Sequence, residues 1–306
     1  MSAVNELRTI GSARTTQKRQ NKAAFAFLLP WLIGLFGITI GPMAVSLYLS
    51  FTDYNLLQSP DFIGLHNFHR MLADERLHKS LEVTFTYVVV SVPLQLGLAL
   101  LLAYVLDKGV RGLSLYRSVF YLPSLIGGSF AVAVLWRNMF GTNGLINQVL
   151  GALGIQGQGW ISEPNTALGT LIILNAWTFG SPMVIFLAGL RQIPTSLYEA
   201  ASVDGAGKAR QFFSITLPLL TPIIFFNLVL QIIHAFQSFT QAFVVSGGSG
   251  GPADSTLFYS LYLYQRGFGN FDMGYASALA WFLLLIVGAL TALNFWFAKF
   301  WVFYDD

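Results

Sequence analysis

Long uncharged segments recur along the chain, separated by shorter segments that hold nearly all of its charged residues. A helix needs about 20 apolar residues to cross the hydrocarbon core of a bilayer, and between Lys22 and Asp53 there is no charged residue at all. Five further segments pass the same test. Together they predict an all-α polytopic membrane protein with six transmembrane helices, at about residues 24–51, 83–106, 118–137, 167–190, 215–243 and 273–298.

Two of the uncharged segments have other interpretations. Residues 138–162 are rich in glycine and side-chain amides, which predicts a loop with a short surface helix and no crossing. The first segment follows basic residues, as a signal peptide would. It is far longer than the 7–15 apolar residues of a signal peptide and no small-residue cleavage site follows it, so we predict an uncleaved span.

Composition agrees with a membrane protein and excludes several other classes. Hydrophobic residues make up 55% of the chain and charged residues only 10%, against about 25% charged residues in soluble domains. The net charge of +3 does not indicate nucleic-acid binding, because the basic residues lie in short loops and form no single basic face. The chain has no cysteine, which excludes disulfides and cysteine metal sites.

The distribution of basic residues predicts the orientation. Lys and Arg favour the cytoplasmic side of short loops, and twelve of the 17 fall in the two terminal segments and the alternate loops. Both termini are therefore predicted to be cytoplasmic. Residues 1–22 form a basic cytoplasmic tail, residues 23–306 form the transmembrane domain, and residues 191–214 form a cytoplasmic loop between the fourth and fifth spans.

The loop at residues 191–214 has the pattern of two short helices joined by a tight turn. Ser196 and Glu199 have the spacing of a capping box, and Asp204 with Gly205 is typical of a helix end that needs a left-handed residue. A second short helix at 208–215 is predicted to lead into the fifth span. This pattern is compatible with a capped connector, or with a docking element for a soluble partner.

The longer pattern favours the docking element. It comprises Glu199, Ala200, Ala201, Asp204, Gly205 and Ala206, followed by Leu217 and Pro218. This run resembles the EAA loop of permeases in carbohydrate ABC importers, the MalF-like branch that includes glycerol-3-phosphate and oligosaccharide permeases. Segments such as 50–54 and 274–278 resemble the same branch. MalF itself has additional helices and a large outer domain that this chain lacks.

The resemblance implies a type I ABC importer permease fold in a bacterial or archaeal cell membrane. It also implies a second permease subunit, usually a different chain, two ATPase subunits bound at the EAA loop, and an extracellular binding protein that delivers a sugar-like solute. Membrane lipid surrounds the chain, and no nucleic-acid partner is expected.

The chain is not expected to be an enzyme or to bind a cofactor or metal. A phosphate-binding loop needs G-x-x-x-x-G-K-[ST], and at Gly207-Lys208 the first glycine is replaced by Ser202 and the hydroxyl residue by Ala209. ATP and Mg²⁺ would therefore bind to the partner ATPase subunits.

A polar stripe in the fifth predicted span is the candidate solute pathway. Polar residues within spans usually face the bundle interior or a water-filled path, although they also join neighbouring helices. The stripe and one residue of the fourth span give the candidates Asn227, Gln231, His234, Ser238, Gln241 and Asn175. The alternative function is a self-sufficient secondary transporter, which would predict inverted repeats and ionisable residues at the midplane. No repeat is evident, and apart from His234 no titratable group lies deep in a predicted span.

Overall fold

The described part of the chain is almost wholly helical. The computed structural model describes residues 25, 27–109 and 112–303, and the predicted basic tail at 1–22 lies outside these ranges. Among the described residues the only sheet is an antiparallel pair of two-residue strands, Thr52–Asp53 with Asp61–Phe62. The prediction of an all-α protein is confirmed.

Among the described residues four unbroken helices are long and apolar enough to cross a membrane, and two bent pairs of helices bring the number to six if each pair is one span. We name them spans 1 to 6 in chain order: Phe27–Leu49; Glu75–Asp107; Leu113–Ile126 with Phe130–Met139; Pro164–Trp177 with Gly180–Leu190; Lys208–Phe236; and Met273–Trp301. Shorter helices in the connections are His66–Leu72, Leu145–Ala152, Thr195–Val203, Thr240–Ser246 and Tyr259–Tyr264. The predicted short helix within residues 138–162 is thus present.

Span 2 is the central helix of the bundle. It packs against both halves of span 4 and against span 5. Small residues on its buried face, including Ala99 and Ala103, are fully buried in the same apolar cluster as Met183 and Phe186 of span 4. Small residues let helix backbones approach closely in a membrane, where van der Waals packing drives helix association.

Spans 3 and 4 are both broken, which the sequence did not predict. The halves of span 3 meet at 94° and those of span 4 at 41°. In span 3 the break falls at Gly127 and Gly128, and Ser129 starts the next helix by accepting a hydrogen bond from the Val132 amide (3.3 Å). The span predicted at about 118–137 thus consists of two helices, because the two glycines and the new N-cap end the first helix.

Span 5 differs from prediction at both ends. The predicted short helix at 208–215 and the following span form one continuous helix, Lys208–Phe236. A π-helical segment, Phe212–Thr216, absorbs the strain of Pro218, whose ring would clash with the carbonyl four residues earlier. At its other end the helix stops at Phe236 and a new helix starts at Thr240. The span predicted at about 215–243 therefore covers two helices, the second of which is Thr240–Ser246.

Span 1 lies at the edge of the bundle. None of the residues of its most apolar 18-residue window is buried, and its described second half, Gly41–Leu49, packs against span 6. The segment after span 1 is held more firmly, because the buried Asn67 amide donates to the carbonyls of Ser50 (3.0 Å) and Thr52 (2.9 Å).

Close packing between the broken spans predicts a specific cost at Gly180. A Cβ atom added there would lie 2.3 Å from the Phe120 carbonyl oxygen and 2.7 Å from the Tyr121 Cα atom of span 3. We expect Gly180→Ala to cost about 1–3 kcal/mol of stability, because backbone must move. Thermal unfolding in detergent should show a midpoint several degrees lower. The matched control is Gly288→Ala in span 6, where nothing lies within 4 Å; equal midpoints for the two variants would contradict the prediction.

Candidate functional site

The loop between spans 4 and 5 ends its first helix with a regular left-handed turn. Helix Thr195–Val203 is followed by Gly205 at φ +78°. The Ala206 amide donates to the Ala201 carbonyl (2.8 Å) and the Gly205 amide donates to the Ser202 carbonyl (3.1 Å). This pair of bonds is the Schellman motif. The left-handed glycine predicted from the sequence is therefore present.

The predicted capping box at the start of that helix is absent. Pro194 is the N-cap residue and no side chain caps the helix. Ser196 is therefore inside the first turn, and Glu199 does not reach back to it. A proline before the first turn predisposes the chain for helix entry through its fixed φ, which is −60° here.

Side-chain hydrogen bonds fix the angle between this helix and span 5. The buried Gln211 amide of span 5 donates to the Ser202 hydroxyl (2.9 Å) and to the Ala206 carbonyl (3.0 Å). The hydroxyls of Tyr198 and Thr216 share a hydrogen bond of 2.9 Å. The helix is thus held as a rigid projection from the start of span 5.

The predicted coupling residues occupy two environments on this projection. Glu199, Ala200, Asp204 and Gly205 are exposed, whereas Ala201, Ala206, Leu217 and Pro218 are half-buried. Glu199 forms no ion pair with any described residue. The projection therefore presents a free carboxylate beside small side chains, which can enter a cleft on another protein.

A polar cavity of about 190 Å³ lies where the breaks of spans 3, 4 and 5 come together. The freed backbone carbonyls at two of these breaks are satisfied by side chains. Thr178 accepts from the Gln95 amide (3.0 Å) and from the Ser124 hydroxyl (2.8 Å). Gly127 accepts from the Gln241 amide (3.2 Å). Broken helices are tolerated in a membrane when neighbouring groups satisfy the backbone in this way.

Five of the six predicted pathway residues line this cavity: Asn175, Gln231, His234, Ser238 and Gln241. The sixth, Asn227, does not. Its side chain is buried and donates to its own helix at the Ile223 carbonyl (3.0 Å). Ser238 and Gln241 lie beyond the end of the helix at Phe236. They reach the cavity because the chain bends there, and not because they share a helix face with Gln231.

The lining residues divide into bonded and available groups. Asn175 donates to Gln95 (3.4 Å), and Gln241 is bonded to Gly127, so both join helices. No hydrogen bond links the side chain of Gln231 or of His234 to another described residue, and the His234 side chain is exposed to the cavity. These two side chains remain able to bind a solute.

Several site residues were missed by the sequence analysis. Gln95 of span 2 is buried and organises the span 4 break, and Ser124 joins spans 3 and 4. Gly127 cannot carry a side chain, because a Cβ atom would lie 2.3 Å from the Thr178 methyl group. A polar residue inside an apolar span was the available signal for Gln95.

A second polar cluster lies at the opposite end of the bundle from the loop, at the start of span 2. The Asp74 carboxylate is only 8% exposed. It accepts hydrogen bonds from the hydroxyls of Tyr262 and Tyr275 and from the Leu77 amide, and Arg266 lies 3.5 Å away. Burial alone would raise the pKa of Asp74, but these hydrogen bonds and the charge of Arg266 lower it below its ordinary value of 3.8.

The same contacts act on the neighbouring groups. Burial, and then the hydrogen bond to Asp74, raise the pKa of the Tyr262 hydroxyl to about 12. The Arg266 guanidinium donates to the Tyr262 hydroxyl (2.6 Å). The cluster therefore joins the start of span 2 to helix Tyr259–Tyr264 and to the start of span 6.

Known proteins resemble the chain over nearly its whole length. The family model described as "Binding-protein-dependent transport system inner membrane component" matches residues 73–301. The "Probable ABC transporter permease protein YesP" of Bacillus subtilis (strain 168) is 54% identical, over 94% of each chain. The "Lactose transport system permease protein LacF" of Rhizobium radiobacter is 32% identical, over 94% of this chain and 98% of the relative.

A third relative and a solved structure extend the comparison. The "sn-glycerol-3-phosphate transport system permease protein UgpA" of Agrobacterium fabrum (strain C58 / ATCC 33970) is 38% identical, over 79% of this chain and 82% of the relative. In the crystal structure of a bacterial ABC transporter involved in the import of alginate, one chain superposes with a TM-score of 0.81. It is 22% identical and covers 93% of this chain and 97% of its own, so it supports the fold alone.

The lowered pKa of Asp74 predicts a pH-dependent contribution to stability. An acid whose pKa is depressed on folding stabilises the folded state above its unfolded pKa, and loses that contribution as the pH falls through the folded value. We expect Asp74→Asn to cost about 1–3 kcal/mol near neutral pH, because charge-assisted hydrogen bonds are lost. The difference from the unmodified chain should shrink below pH 3.8. Thermal melts across pH measure it.

The neighbouring Glu75→Gln is the control, because the Glu75 side chain is exposed and has no hydrogen-bond partner among the described residues. If Asp74→Asn lost the same stability at every pH, the charge of the Asp74 carboxylate would not be the source of the stabilisation.

Proposed function

The chain belongs to the family of binding-protein-dependent transport system inner membrane components, as a permease subunit of an ABC importer, and from this premise we propose that its solute is a sugar or sugar-derived molecule. Relatives named for transport of lactose, sn-glycerol-3-phosphate and sulfoquinovosyl glycerol support this class. The neutral lining of the cavity supports it too, because amides, hydroxyls and one imidazole suit a polyhydroxyl solute better than an ion.

The proposal rests on the cavity where the breaks of spans 3, 4 and 5 come together. Gln231 and His234 supply donors and acceptors that no described residue uses, and Tyr87 supplies an aromatic wall. The cavity is partly open, which fits a pathway that a second permease subunit completes. That subunit is proposed to be a different chain.

The projecting loop is proposed to couple this pathway to ATP hydrolysis. Glu199, Ala200, Ala201, Asp204, Gly205 and Ala206 would contact the ATPase subunit, and Leu217 and Pro218 would carry the motion into span 5. A free carboxylate can pair with a basic residue in a partner cleft, and small neighbours allow close approach. ATP and Mg²⁺ would be bound by two partner ATPase subunits, and this chain would have no enzymatic activity of its own.

The remaining partners follow from the predicted orientation. With both termini cytoplasmic in the inner membrane, the Asp74 cluster faces outward, where an extracellular binding protein would deliver the solute. The self-sufficient secondary transporter finds no support, because the family match and the relatives indicate an importer that depends on partners.

The coupling role predicts distinct effects for two loop substitutions. Glu199→Ala removes one charge-assisted contact of about 1.5–3 kcal/mol, which corresponds to roughly tenfold or more weaker ATPase association. Gly205→Ala forces a side chain into a left-handed conformation and changes the angle of the projection. Solute-stimulated ATPase activity of the purified complex should fall several-fold for both variants.

Matched controls separate coupling from folding in this experiment. Gly207→Ala changes a glycine with φ −69° and open space around it, so ATPase activity should stay unchanged. Glu75→Ala removes a carboxylate at the other end of the bundle. Unaltered association and activity in Glu199→Ala would exclude the proposed contact.

The pathway role predicts that two neighbouring amides of span 5 behave differently. Gln231→Leu removes an unused donor and acceptor from the cavity, so transport should fall at least several-fold while the complex still assembles. Asn227→Leu replaces a buried amide whose oxygen has no partner among the described residues, and transport should be largely retained. Solute uptake into proteoliposomes and the yield of intact complex measure both effects. Lost assembly in Gln231→Leu would instead indicate that this residue joins helices.

A further inference from the structure

A second, larger and more open groove of about 450 Å³ lies on the first half of span 3, toward the predicted cytoplasmic side, and its lining combines polar and apolar groups. Ser114, Arg117, Ser118 and Tyr121 of span 3 line it, together with Ser181 and two apolar residues of span 4. Its polar residues alternate with apolar ones inside a mainly apolar segment, so periodicity along the chain does not reveal this groove.

The cavity lies on one polar face of an otherwise apolar helix. The residues that line it on span 3 are three or four positions apart along one side of the helix and fall within about 100° of one another at 100° per residue. The adjoining face carries Leu115, Val119 and Leu122, which are 67%, 55% and 52% exposed. An exposed apolar face in a bilayer contacts lipid, whereas an exposed polar face lines water or protein.

The second cavity continues from the first. Ser124 lines the first cavity and Ser181 lines the second, and the Ser181 amide donates to the Ser124 hydroxyl (2.8 Å). Ser114 lies ten residues before Ser124 on the same helix, so the polar face extends the first cavity by about 15 Å. Together the two cavities follow span 3 from the helix breaks to its cytoplasmic end.

Arg117 is the only charged side chain that lines either cavity. Among the described residues no carboxylate lies within 4.0 Å of its guanidinium. Arg117 lies four residues after the start of span 3, close enough to the predicted cytoplasmic end for its guanidinium to meet water or an anion. Guanidinium binds carboxylate, phosphate and related anions through several parallel hydrogen bonds.

We propose that this groove is the cytoplasmic half of the solute pathway, and that Arg117 makes it favour hydroxyl-rich solutes that carry an acidic group. The proposal rests on the proposed function, because it needs a solute that leaves toward the cytoplasm. It narrows the solute class from sugars in general to sugars with a carboxylate, phosphate or sulfonate.

The absence of cysteine from the chain allows a direct test of the groove. Ser118→Cys and Val119→Cys place single thiols on the polar and apolar faces at neighbouring positions. Each variant is assembled with its partner subunits in inverted membrane vesicles without ATP and treated with water-soluble methanethiosulfonates, one carrying a sulfonate and one a trimethylammonium group. We expect Ser118→Cys to react about tenfold faster than Val119→Cys, because only its face is hydrated.

The charge of the reagent tests the role of Arg117. Each reagent's rate at Ser118→Cys is divided by its rate with free cysteine. The normalised rate of the sulfonate reagent should be about tenfold higher than that of the cationic reagent, because a groove of one charge concentrates counter-ions. Arg117→Gln in the same background should bring the ratio close to one, and high salt should reduce it. Ser114→Cys repeats the measurement if Ser118→Cys assembles poorly.

Three outcomes would overturn the proposal. Equal labelling of the two faces would show that the groove is not water-filled, and a reagent ratio that Arg117→Gln leaves unchanged would remove the anion preference. Slower labelling in vesicles rich in phosphatidylglycerol than in phosphatidylcholine would assign Arg117 to a lipid headgroup. In each case a complex that still couples ATP hydrolysis to its binding protein leaves the importer function intact, whereas failure to assemble with ATPase subunits would contradict the proposed function itself.

Discussion

The need to satisfy backbone carbonyls away from water determines how this bundle is built. Each helix break in a membrane frees polar backbone groups whose burial without a partner costs several kcal/mol. At Thr178 the carbonyl is held by Gln95 and Ser124, which belong to two other spans. Spans 2, 3 and 4 therefore meet at one polar point, and the cavity lies beside it, where the breaks of spans 3, 4 and 5 come together.

That arrangement explains why small residues are required beside the cavity. The Thr178 methyl group occupies the space that a Cβ atom of Gly127 would need, and Gly180 lies against the span 3 backbone. Side chains at either position would separate the two breaks and leave carbonyls without donors. Gly127 thus ends the first helix of span 3, and together with Gly180 it lets span 3 lie close to span 4.

The sequence predicted the crossings well, because each crossing needs about 20 residues without charge. Segments of that kind are visible in the sequence itself. It also predicted the left-handed turn at Gly205, since local chemistry determines such a turn. It could not predict the breaks, because glycine and proline are common inside transmembrane helices that remain intact. The polar stripe shows the consequence: periodicity correctly grouped Gln231 with His234, but included Asn227, which faces its own helix.

Span 5 connects the two functional regions through one element. From Lys208 to Phe236 it has 29 residues, which is about 44 Å at 1.5 Å per residue. Its first turns hold the projecting loop through Gln211 and Thr216, and its last turn carries His234 into the cavity. A helix of this length resists compression, so a displacement of the loop must shift the cavity wall or bend the helix. The π-helical segment at Phe212–Thr216 is where its hydrogen bonding is irregular, and bending there would change the angle of the loop without moving His234. If the loop couples to the cavity as proposed, transmission would require the bonds of Gln211 and Thr216 to hold that segment in one geometry.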